Sequence, residues 1–163
     1  MIARDPRHAE ALIDWAETRH PGLRIRAAAA ADALTGAGIV ITATDSGTPV
    51  FDGALLAEGV HVTAVGSHRP HMRELDPPTM RDALIVVDQR AGALVEAGEL
   101  SGLGPAEVVE LGEVLSGRVP GRTSPAQRTV FKSVGNGIQD LAVAAVAYER
   151  ALEQGLGEEI RWP

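Results

Sequence analysis

The 163-residue chain contains no cysteine, which excludes disulfides and thiolate metal sites and agrees with a reducing, cytoplasmic setting. Aromatic residues make up only 3%, too few for the stacking platforms that bind single-stranded nucleic acid. Cations are scarce too, with 15 Lys and Arg against 22 Asp and Glu and a formal charge of −7. Phosphate backbones select clustered Lys and Arg, so the charge balance argues against nucleic acid as a partner. No apolar run approaches the roughly 18 residues of a membrane span, and Met1-Ile2-Ala3-Arg4-Asp5-Pro6 lacks a signal-peptide core. The five histidines (His8, His20, His61, His68 and His71) show no metal-ligand spacing with an acidic partner. There is no Ser nucleophile elbow and no Walker loop. What is present is 45% hydrophobic and 23% charged, the composition of a globular domain large enough to bury a core.

Short apolar runs alternate with helical stretches along the first part of the chain. Ile39–Ala43, Val60–Val65 and Ala83–Val87 read as buried strands, because near-continuous apolarity is what a parallel sheet covered on both faces requires. Leu23–Ala27 reads as a shorter strand nearer an edge. Helical patterns cover Arg7–Arg19, with Pro6 suited to a helix start, then Ala30–Leu34 and Met72–Met80. This alternation predicts an α/β fold with right-handed crossovers. Farther on, Ala91–Ala97 reads as helix with Gly98 as its cap, and Pro105–Ser116 as another helix. Residues 117–127 are turn-rich, Arg128–Phe131 is a short strand candidate, and Gly137–Glu153 is a long helix. Ile138, Leu141, Ala142, Ala145, Val146 and Leu152 mark its apolar side.

In a doubly wound sheet, ligands bind beyond the carboxyl ends of the strands. Three predicted strand ends carry small or polar residues: Thr42–Gly47, Gly66–Pro70 and Asp88–Arg90. A polar turn explains any one of them; three on one edge point to a site. His68, just past a strand end, is the candidate for proton transfer, against the alternative of a partly exposed structural histidine. Arg4-Asp5-Pro6 precedes the first helix, where an acidic residue would bind the ribose hydroxyls of NAD and an arginine the extra phosphate of NADP. A solvated Arg beside an Asp N-cap is the competing reading.

An ordered set of segments runs through the chain: Ile39-Val-Ile-Thr-Ala-Thr44, Pro49-Val-Phe51, Val60-His-Val-Thr-Ala-Val-Gly-Ser67 and Arg73-Glu-Leu-Asp76. Val86-Val-Asp88, Glu96-Ala-Gly-Glu-Leu100, Glu110-Leu-Gly-Glu113 and Thr129-Val-Phe-Lys-Ser-Val-Gly135 follow, then Asp140. In order and spacing the chain resembles the ornithine cyclodeaminase/mu-crystallin family. The resemblance implies a dinucleotide cofactor, NADP with NAD as the second choice, held by Arg4, Asp5, His8, Thr44, Asp45, Val65, Gly66, Ser133, Val134 and Gly135. It implies Ser67 and Glu96 on the substrate side, hydride transfer at an amino-acid or imine carbon, and His68 where ornithine cyclodeaminases carry an aspartate. Histidine there speaks against ornithine deamination and for the imine-reductase branch, reducing a cyclic imine or oxidising a small amino acid. The family also implies a homodimer.

One departure is larger. The family's Gly-rich first turn, which seats a pyrophosphate on a helix N-terminus, has no counterpart here, nor has its substrate domain. The expected architecture is therefore an incomplete Rossmann-like doubly wound parallel sheet lacking its first strand, followed by C-terminal helices. Residues 1–116 form the partial dinucleotide-binding domain; 117–163 form a loop, short strand and long helix that returns toward the substrate domain. In the order 3-2-1-4-5-6 the first strand is central, so its neighbours would face each other across a gap. Buried unpaired backbone groups cost about 1–3 kcal/mol each, against a total stability of about 5–15 kcal/mol. The chain is thus expected to rearrange, to associate, or to be a piece of a longer protein. Three readings remain open: half of an active reductase, a non-catalytic remnant, or a ligand-binding module that keeps the cofactor without turnover.

Overall fold

Asp5 and Pro6 start the first helix as their chemistry predicts: the Asp5 carboxylate accepts from the Arg7 amide, and proline occupies the first turn of α1 (Pro6–Arg19). The structure is a computed structural model that describes residues 1–3 and 5–161. After α1 come α2 (Ala30–Leu34), β1 (Ile39–Thr42), β2 (His61–Ala64), α3 (Pro77–Met80), β3 (Leu84–Val87) and α4 (Arg90–Glu96). They are followed by β4 (Val109–Glu110), α5 (Leu111–Leu115), β5 (Thr129–Lys132) and α6 (Gly137–Gln154). The fold is α/β, a Rossmann-like parallel sheet with helices between the strands.

All strands run parallel, in the order β1-β2-β5-β3-β4. The register aligns Thr42, Ala64, Lys132, Val87 and Glu110 in one row, so the strands finish at a common edge. One core cluster gathers Leu34, Phe51, Leu56, Val60, Val62, Ala64, Leu75 and Val130; a second gathers Ile85, Val87, Ala93, Ala97, Leu100 and Val108.

Several elements differ from the sequence reading. β5 inserts between β2 and β3, interrupting the simple 3-2-1-4-5-6 order; Thr129, Val130 and Lys132 are buried there, as suits a strand flanked on both sides. The Pro105–Ser116 helix is in fact a 3-10 turn (Pro105–Glu107), then β4, then α5. Val108 and Val109 are β-branched and pack at the sheet edge rather than winding into a helix. The helix read over Met72–Met80 is confined to α3, since Pro77-Pro78 disfavours helical backbone before it and buried Glu74 and Leu75 lie in an irregular segment. Gly98 is no left-handed cap: a Cβ there would lie 2.0 Å from the Met72 carbonyl oxygen, so glycine is required by close approach. Leu23–Ala27 forms no regular strand, although Met1 pairs with it through Met1 N to Arg26 O (2.8 Å) and Ala28 N to Met1 O (3.0 Å).

β1 is an edge strand: among the described residues it pairs with β2 alone, and no strand faces it across the expected gap. Beyond its other edge lies a groove of about 990 Å³, lined by Met1, Ile2 and Ala3 as well as by Ile39, Val40, Ile41 and Thr42. Ile39 and Ile41 are 67% and 69% exposed, so this end of the sheet is not covered on both faces by any described residue. The apolar side of α6 is likewise exposed, from Ile138 and Leu141 to Val146 and Leu152. No helix of the described residues is long and apolar enough to cross a membrane.

Candidate functional site

Because the strands end in register, the segments after them emerge side by side: Ala43–Ser46 after β1, Val65–Arg69 after β2, Ser133–Gly135 after β5 and Asp88–Gln89 after β3. Three carboxylates organise these segments from beneath. Fully buried Glu74 accepts from Thr42 Oγ1 (2.9 Å), Thr44 N (2.6 Å), Thr44 Oγ1 (2.7 Å) and Gly66 N (2.8 Å). Burial alone would raise its pKa, but these hydrogen bonds outweigh it and hold the carboxyl below the ordinary value. Glu99 accepts from Ser67 Oγ (2.7 Å) and from the Glu74 amide (2.6 Å). Asp88 accepts from Ser133 Oγ (2.8 Å), Val134 N (3.1 Å) and Gly135 N (2.6 Å). Gly66 is required by proximity, since a Cβ would stand 2.1 Å from Thr44 O.

A crevice of about 460 Å³ opens above this layer, lined by Ala43, Thr44, Asp45, Val65, Gly66, His68, Arg69 and Met72. Thr44 and Asp45 also line the larger groove beside β1, together with Asp5 and His8. The sheet edge thus brings together Thr44, Asp45, Val65, Gly66 and His68, with Ser133, Val134 and Gly135 on the adjoining strand end. Gly135 has a φ of 80° and open space where a Cβ would project. Asp5 reaches the groove while capping α1 and pairing with Arg7 at 2.7 Å; the hydrogen bond from Arg7 lowers its pKa. Arg4 lies outside the described residues.

Two predicted substrate residues are placed differently. Ser67 is fully buried with its hydroxyl taken up by Glu99, and Glu96 is exposed on α4 and lines neither cavity. Glu99, three residues farther on, makes the contact with Ser67. Asp88 lies in a predicted ligand-facing strand end, whereas Glu74, Glu99 and Lys132 were given no role in the sequence reading. The available signal was a lysine closing an otherwise apolar strand pattern, Thr129-Val-Phe-Lys132. His68 is exposed, its Nδ1 3.3 Å from the Gly66 carbonyl oxygen.

The sequence profile of the ornithine cyclodeaminase/mu-crystallin family matches residues 1–155. The chain is 43% identical over 139 residues to a Delta(1)-pyrroline-2-carboxylate reductase of Bacillus cereus, covering 80% of this chain and 42% of that protein. It is 42% identical over 118 residues to the ketimine reductase mu-crystallin of Mus musculus, covering 72% and 37% respectively. Among solved structures, Thermococcus litoralis Delta(1)-pyrroline-2-carboxylate reductase in complex with NADH and L-proline superposes with a TM-score of 0.91 at 32% identity, over 98% of this chain and 51% of that one. The chain therefore spans about half or less of the length of these relatives. Its profile match, identity and sheet geometry agree: the chain belongs to the ornithine cyclodeaminase/mu-crystallin family.

Proposed function

We propose that this chain supplies the cofactor-facing part of an NAD(P)-dependent oxidoreductase that reduces cyclic imines, of the pyrroline-2-carboxylate or ketimine kind, or oxidises a small amino acid. The observation that carries the reading is the row of parallel strand ends, where Thr44, Gly66 and Gly135 stand side by side over a layer of hydrogen-bonded carboxylates. Strand-end crevices of this kind are where α/β sheets take dinucleotides.

The residues present fit part of such a cofactor. Asp5, His8, Thr44 and Asp45 would hold the adenosine side along the groove, and Val65, Gly66 and Gly135 would border the nicotinamide. Gly135, with open space at its missing Cβ, suits a flat ring lying close to backbone. No Gly-x-Gly-x-x-Gly turn, the usual seat of the pyrophosphate at a helix N-terminus, occurs in residues 1–163. A reduced nicotinamide held there would supply the hydride that an imine carbon takes up. The chain's own residues then orient substrate and handle the proton: His68 Nδ1 leans on the Gly66 carbonyl, leaving Nε2 to deliver a proton to the imine nitrogen. Preference for NADP over NAD rests on Arg4 and is the finer part of the proposal; a homodimer and a cytoplasmic setting belong with it.

The open groove beside β1 favours a second reading, a remnant that binds no cofactor by itself. Fluorescence titration of the purified chain with NADPH, and with NADH for comparison, separates the two. Saturable binding at micromolar concentration, tighter for NADPH, supports the first. Absence of binding to both nucleotides supports the remnant.

A further inference from the structure

Lys132 ends β5 at the common row of strand ends and is fully buried. Its Nζ donates to the Ser67 carbonyl oxygen at 2.5 Å and, more weakly, to Ala64 O at 3.4 Å. Ala64 ends β2, and Ser67 lies buried in the segment that follows it, between the crevice-lining Gly66 and His68. Burial pushes the ammonium pKa down, while the Glu99, Glu74 and Asp88 carboxylates push it back up. Each of those carboxylates holds one loop: Glu74 the turn after β1, Glu99 the Ser67 segment, Asp88 the Ser133–Gly135 segment.

A charge at this place is a poor device for stability alone. Well-packed apolar residues usually serve a buried site as well as, or better than, an ion pair. What an apolar residue could not do is satisfy the Ser67 carbonyl and set a positive charge among three carboxylates at once. From this geometry we propose that Lys132 is a positioning residue: it ties the Val65–Arg69 loop, one wall of the crevice, to the end of β5, so that this wall keeps a fixed place beside the Ser133–Gly135 segment. The role rests on the crevice being the working site, as proposed above. It acts through Ser67 and the carboxylates and touches no reacting atom.

The test is amide hydrogen exchange on the whole chain, comparing wild type with Lys132→Met, which keeps an unbranched side chain without the charge. The expected result is about tenfold faster exchange across Val65–Arg69 and Ser133–Gly135, with Val62, Ile85 and Val130 still protected. The His68 ring resonances should shift with the loop, because the ring leans on Gly66. Unchanged loop exchange, or acceleration spread evenly through all strands, overturns the proposal. Should Lys132→Met not fold, Glu99→Gln is the deciding variant: localised loosening at Val65–Arg69 supports the role and undiminished protection refutes it. NADH titration of the same samples judges the functional reading separately; a wild type that binds no NADH counts against that reading and leaves the exchange result to decide this one.

Discussion

Replacing Glu74 by glutamine changes one oxygen to an amide nitrogen, yet the surroundings make this a severe perturbation. Oε1 takes Thr44 N and Thr44 Oγ1, and Oε2 takes Thr42 Oγ1 and Gly66 N, so each oxygen faces one backbone N–H and one hydroxyl. The hydroxyls can rotate and accept from an amide NH2; the backbone N–H groups cannot. Whichever way the new amide lies, one backbone donor is left facing another donor in a buried site, at about 1–3 kcal/mol. The bonds that survive lose their charge assistance, which roughly halves each. Together these give an expected loss of about 2–4 kcal/mol for Glu74→Gln. The same reasoning fixes the pH behaviour. Hydrogen bonding holds the folded pKa of Glu74 below its unfolded value, so its contribution is complete above the unfolded carboxylate pKa and disappears as pH falls through the folded one. Urea denaturation of wild type and variant at neutral pH and at progressively acid pH measures both effects, with exposed Glu158→Gln as control. A gap of several kcal/mol that narrows on acidification bears the account out. A neutral-pH difference below about 0.5 kcal/mol, the size of an ordinary surface change, refutes it.

Gly66→Ala and Gly135→Ala should separate two reasons for glycine at one site. At Gly66 a Cβ meets the Thr44 backbone at 2.1 Å, so the cost should reach about 3 kcal/mol or more; at Gly135 only the positive φ is at issue, about 1–2 kcal/mol. Urea midpoints that rank the two equally would overturn the close-approach argument. The unpaired edge of β1, with Ile39 and Ile41 exposed, predicts concentration-dependent self-association in sedimentation velocity, reduced by Ile41→Lys. A wild type that sediments as a monomer throughout the micromolar range would show that this edge is not adhesive.

Local chemistry made much of the molecule legible beforehand. The apolar runs ending at Ala43, Val65 and Val87 declare strands because burial in a parallel sheet demands them, and small or polar residues around their ends mark a ligand edge. Asp5-Pro6 announces a helix start because the cap and the fixed proline φ act within a few residues. The family likeness came from the same segments in order. The register of the strand ends was not legible, nor was the insertion of β5 between β2 and β3, which pairs Val130 with Val62 and Ile85. Such pairings join residues far apart in the chain, and no local pattern encodes which strands become neighbours. Pro105–Ser116 misled for a related reason: its apolar spacing suits a helix, and only the vacant edge of β3 draws Val109 and Glu110 into the sheet. Glu74, Glu99 and Lys132 stand inside the family-like segments, but nothing in the local sequence says that they are gathered beneath the strand ends. The sequence determined by itself the kinds of element and the polarity of the edge where they end; tertiary structure alone decided that these charges meet underneath it, because a buried carboxylate or ammonium is tolerated only where folding gathers its donors and acceptors from several strands at once.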